Sequence, residues 1–128
     1  MFLEYVIPAV IMLFLDVLYL TNIGGHMFGN MVKNIQGHEI KLNIYGAIGA
    51  YTLMLVALYK FILVDRKSPT DAFILGLCIY GVFDFTNYTI FKKYDMFVGG
   101  LDILWGGVLY YVVTWLTYKT YKIIGIRH

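Results

Sequence analysis

Residues 72–91, AFILGLCIYGVFDFTNYTIF, hold twenty side chains in a row with a single charge among them, Asp84. At ~1.5 Å of rise per residue, a helix of that length crosses a hydrocarbon core ~30 Å thick. Three further stretches share its length and greasiness, at residues 2–23, 43–64 and 100–121. Peptide groups in lipid have no water to bond, so each stretch must satisfy itself as a helix. The polar face that recurs every 3.6 residues in a soluble helix is missing from all four. The chain therefore reads as an all-α, four-helix transmembrane bundle, one integral membrane domain over residues 1–128.

Composition agrees. Hydrophobic residues make up 60% of the 128 and charged residues 14%, with a mean hydropathy of +0.72. Soluble domains sit near half apolar and a quarter charged. The formal charge is only +2, and the basic residues are scattered between apolar runs. No nucleic-acid footprint is present. The one cysteine, Cys78, has no intramolecular partner and is expected to be buried and inert. The first stretch carries Glu4 in place of a basic n-region and lacks a small-residue cleavage motif, so it reads as a retained helix.

Local signals set the expected boundaries. Ser68, Pro69 and Asp71 resemble an N-cap, an N1 proline and an acidic third position. Gly24 and Gly25 are expected to end the first helix, opening a loop from about residue 24 to 42 that carries His26, His38 and Glu39. Lys92, Lys93, Tyr94 and Asp95 form a short polar connection, with Gly99 and Gly100 easing the turn into the last span. Gly46 with Ala50, and Gly106 with Gly107, are expected to let helices approach closely. Among the twelve tyrosines, Tyr59, Tyr94, Tyr118 and Tyr121 lie near span ends and read as interfacial anchors. Tyr19, Tyr80, Tyr88 and Tyr110 lie deeper, where a hydroxyl needs a partner.

Four crossings place both termini on one face. That face carries six Lys and Arg residues against four on the other, which favours cytoplasmic termini.

Function is best sought in the acids. A carboxylate in hydrocarbon costs about 3 kcal/mol on insertion scales and normally faces a bundle interior. Asp16 is late in the first span, Asp84 late in the third and Asp102 early in the fourth, so all three lie toward the same membrane face, with Asn43 at the mouth of the second span. Tyr19 shares a helix face with Asp16, Asn87 and Tyr88 share one with Asp84, and Trp105 shares one with Asp102. These eight residues, Asp16, Tyr19, Asn43, Asp84, Asn87, Tyr88, Asp102 and Trp105, are the expected ligand-binding set. No Lys or Arg lies deep in any span, so close carboxyls must share a proton or bind a cation. The bland alternative is interhelical glue, at ~0.6 kcal/mol per contact. The loop histidines show no metal-ligand spacing, so no metal site is assigned, and no cofactor is named by the sequence. Residues 15–22 and 83–90 align on Asp16 and Asp84 as a faint internal repeat.

The runs Gly81-Val82-Phe83-Asp84-Phe85-Thr86-Asn87-Tyr88 and Asp102-Ile103-Leu104-Trp105-Gly106-Gly107, with Leu15-Asp16-Val17-Leu18-Tyr19-Leu20, resemble a known family. It is the group of small predicted membrane proteins called domain-of-unknown-function family 2177. The resemblance covers essentially the whole chain. It implies a multi-pass membrane protein without an assigned activity, and it supplies no substrate.

Three functions compete. The first is a carrier or channel component that binds a small solute, proton or cation. The second is a membrane enzyme acting on a lipid-like substrate with one carboxyl as acid and another as base. The third is a structural or assembly protein that forms homo-oligomers through glycine-lined faces. The reading leans to the first and away from catalysis. Its partners would be the lipid bilayer and a small ligand or ion, without nucleic acid.

Overall fold

The computed structural model describes residues 2–126, and no strand occurs among them. Helix α1 spans Phe2–Tyr19 and passes through a π turn, Leu20–Gly24, straight into α2, Gly25–Gln36. Helix α3, Ile44–Leu58, also ends in a π turn, Tyr59–Leu63. A tight hairpin of α4, Pro69–Ile90, and α5, Met96–Ile124, completes the chain. Four of the described rods are long and apolar enough to cross a membrane, counting α1 through α2 as one.

The glycine pair at 24–25 does not stop the first helix. Thr21 donates to the Val17 carbonyl at 2.8 Å, and Asn22 donates to the Leu18 carbonyl at 2.8 Å. Both side chains compete for backbone acceptors of the preceding turn, which then widens instead of breaking. The Tyr19 ring occupies the space that a Cβ at Gly24 would need. The true stop is Gly37, at φ +82°, whose N–H bonds the Lys33 carbonyl. Much of the expected first loop is therefore helix, and the non-helical remainder covers only residues 37–43.

Other ends are capped by side chains. Asn43 accepts from the N–H groups of Tyr45 and Gly46, Ser68 from Asp71, and Asp95 from Phe97. Gly99 and Gly100 lie inside α5, which has already started at Met96.

Helix α5 is the central post. Its buried residues include Gly106, Gly107, Leu109, Tyr110, Val113, Thr114, Thr117 and Tyr121. It packs most extensively on α4 and next on α1, while α3 touches α4 sparsely. Close approach depends on absent side chains, because a Cβ on Gly76 would strike the Gly106 backbone and one on Gly106 would strike the Tyr80 ring. The core cluster joins Met12, Leu58, Ile62, Leu63, Ala72, Leu109, Tyr110 and Val113.

Only the far end of α3 enters that core. A methyl added at Gly46 or Gly49 would meet nothing within 4 Å, and Ala50 is exposed, so the expected close contact there is not made within one chain. Tyr121 is fully buried, not interfacial, with its hydroxyl donating to the Glu4 carbonyl, and Tyr118 donates to the Lys67 carbonyl at 2.7 Å. These two tie the terminal ends of the rods together. Cys78 is exposed on the outer face of α4, contrary to the burial expected. The outer faces also display Val10, Phe14, Leu53, Ile74, Val82 and Phe85, a surface suited to lipid.

Candidate functional site

Asp84 lies six residues before the end of α4, and Asp102 six residues after the start of α5. Each is thus ~9 Å below the tip of the hairpin. The two carboxyls are close enough to act on each other electrostatically, although no hydrogen bond joins them. Asp84 is fully buried; its Oδ1 accepts from the Tyr94 hydroxyl at 2.5 Å, while its Oδ2 has no donor. Tyr94 is held there by the turn that joins α4 to α5, its N–H bonding the Phe91 carbonyl, and Asn87 is close enough to act on its hydroxyl. Burial first, and the bond to Asp84 second, push the Tyr94 hydroxyl above the ordinary phenol range, so it stays protonated as a donor.

Asp16, 5% exposed, is satisfied from two other helices. Tyr51 of α3 donates its hydroxyl to Oδ2, and Trp105 of α5 donates Nε1–H to Oδ1 at 2.9 Å. The Trp105 ring lies flat against Tyr19, with centroids 4.2 Å apart and planes 4° from parallel. The donors are neutral. Every described lysine and arginine is exposed, and none pairs with these acids.

Beside the acids is a cavity of about 630 Å³. Asp16 and Asp102 stand in its wall with Tyr19, Tyr51 and Tyr80, and the remaining lining is largely apolar, including Leu53, Met54, Ile79 and Phe83. Helix α2 contributes Met27 and Phe28 to the lining. It also roofs the hairpin tip. Phe28 lies 6.3 Å from the Phe83 ring and 6.5 Å from that of Tyr94, and the Asp95 N–H points at the Met31 sulfur at 3.1 Å.

The family model for DUF2177, described as a predicted membrane protein, matches residues 1–119. The chain belongs to this family. No curated protein and no solved structure matches it.

Six of the eight residues singled out from the DUF2177 sequence meet around this cavity or its acids: Asp16, Tyr19, Asp84, Asn87, Asp102 and Trp105. Two do not. Asn43 is exposed and spends its side chain on capping α3. Tyr88 is 54% exposed, because the face α4 turns inward runs through Asp84 and Asn87 and leaves position 88 outside. Tyr51, Tyr80 and Tyr94 belong to the arrangement but were not among the eight. For Tyr51 a signal existed: a hydroxyl in the middle of an apolar span needs a partner. For Tyr94 the adjacent lysines pointed instead to the headgroup zone.

Proposed function

We propose that this protein binds a small solute, proton or cation at an acidic site inside the bilayer and serves as a carrier or channel component. In this reading Asp16, Asp84 and Asp102 are the binding groups, and both termini are cytoplasmic. One observation carries it: two of the three acids line a roomy cavity, the third adjoins it, and no described lysine or arginine pairs with them. Glue between helices requires neither the cavity nor an unmatched pair of carboxyls. Neighbouring carboxyls without a counter-ion are suited to sharing a proton that an arriving cation displaces.

Proton leak in dye-loaded proteoliposomes under an imposed membrane potential tests the reading. Wild type should leak above protein-free vesicles, and Asp84→Asn and Asp102→Asn should not, while both variants still elute as folded protein. Equal leak in wild type, both variants and empty vesicles removes the transport role.

The size and apolar walls of the cavity favour a second reading, catalysis on a lipid-like substrate with Asp84 and Asp102 dividing acid and base roles. A lipid that survives purification and changes mass on incubation would support it. Its recovery unchanged would count against it.

A further inference from the structure

We infer that the occupant of the cavity is a hydrophobic monocation, an apolar body bearing one positive charge, which enters sideways from the bilayer. The inference rests on the binding role proposed above and names its ligand class. An anion would face Asp16 and Asp102 in the wall and Asp84 behind them, and no described lysine or arginine lines the cavity. Like charges set together in this way cost several kcal/mol. A bare metal ion is a poor match, since no group of three His, Cys, Asp or Glu side chains suited to a metal exists among the described residues. A wholly apolar molecule would leave the Asp102 carboxyl in the cavity wall unanswered.

A hydrophobic cation meets each demand. Its charge lies against Asp102 and Asp16, and its body against Leu53, Met54, Ile79 and Phe83. The rings of Tyr19, Tyr51 and Tyr80 supply faces that attract cations. A volume of about 630 Å³ falls within the ~300–1,000 Å³ of ordinary small-molecule sites. The entry route follows from which lining residues are exposed. They include Leu20, Leu53 (70% exposed) and Phe83, on the outer surfaces of three different apolar segments. The mouth therefore opens on the sides of the rods, facing lipid, where such a cation partitions.

Tetraphenylphosphonium and tetraphenylborate share a shape and carry opposite charges, which separates charge from greasiness. The reporter is Trp105 in a Trp115→Phe background, in detergent micelles; Trp115 is exposed beside Lys119 and lies outside the cavity. The phosphonium should change Trp105 fluorescence saturably, with the borate at least about tenfold weaker. Asp102→Asn should weaken phosphonium binding about tenfold or more. Leu53→Phe, a change at an exposed position that narrows the mouth without adding a tryptophan, should weaken it while leaving thermal stability near wild type. Equal binding of the two ions overturns the inference, as does phosphonium binding indifferent to both Asp102→Asn and Leu53→Phe. Failure of phosphonium binding with an intact Asp84-dependent proton leak overturns the ligand class alone. Loss of both overturns the site itself.

Discussion

Asp84 is fully enclosed, and the Tyr94 hydroxyl is its donor from the protein. Removing that hydroxyl leaves both carboxyl oxygens without a donor, at a cost of about 1–3 kcal/mol. Tyr94→Phe should accordingly lower the melting temperature in detergent, while Tyr88→Phe, at an exposed site, should change it little. Adding Asp84→Asn to Tyr94→Phe should recover part of the loss if the buried carboxyl is its source. The aspartates were legible in the sequence because a carboxylate inside an apolar run is expensive wherever it points. Their donors were not. A tyrosine serves equally at an interface, in a core or on a carboxyl, and only the packing of α2 and the hairpin turn over Asp84 selects the last for Tyr94. Asp16 and Asp84 each accept from a tyrosine of another segment, Tyr51 or Tyr94.

Among the helices, the α4–α5 hairpin has the least slack. A methyl at Gly76 meets the Gly106 carbonyl, and backbone cannot swing aside as a side chain can. Overpacking of this kind costs about 1–3 kcal/mol. Gly76→Ala should therefore lower the thermal midpoint in detergent, whereas Gly46→Ala, with open space around it, should leave it unchanged or slightly higher. Similar losses at the two positions would show that Gly46 is covered by something outside the chain. The cap at Ser68 and the existence of the apolar helices were readable from local chemistry. Asp95, read only as part of a polar connection, caps a helix that starts at Met96 and not at residue 100. The passage through Gly24 and Gly25 was not readable either. Glycine pairs usually mark helix ends, and what carries the helix onward is tertiary: Phe28 and Met31 on α2 find apolar and aromatic partners over the hairpin tip.

The molecule as a whole is a bundle with its large apolar side chains turned outward as well as inward, Val82 at 70% exposed and Leu53 among them. The proposed orientation puts Lys67 on the cytoplasmic side and Lys93 on the opposite one. In a Cys78→Ala background, a membrane-impermeant thiol reagent applied to intact cells should label Lys93→Cys and spare Lys67→Cys. The reverse pattern would invert the topology while leaving the cavity argument untouched. Orientation was the faintest whole-molecule signal in the sequence, because six basic residues against four is a narrow margin. The cavity was legible in its place, since the acids share one depth, but not in its size and largely apolar lining. It arises from α3 joining the core mainly through Leu58, Ile62 and Leu63 while its opposite half stands clear, a matter of tilt that no residue pattern encodes.

The turn at Leu20–Gly24 stores one surplus amino acid inside an otherwise continuous rod, with the Gly25 N–H reaching back five residues to the Leu20 carbonyl. Such a bulge absorbs its extra residue without altering the azimuth of the helix beyond it. Deleting Asn22 should close it into ordinary α geometry and leave α2 aimed where it is. A deletion of Asn30 falls between Phe28 and Met31. Whether or not the bulge closes, it swings one of the two by about 100° off its partner, Tyr94 or Asp95. Melting curves of the two deletions should separate them, with the first near wild type and the second well below it. Length variation by one residue is thus tolerable at this turn and ruinous a few positions later.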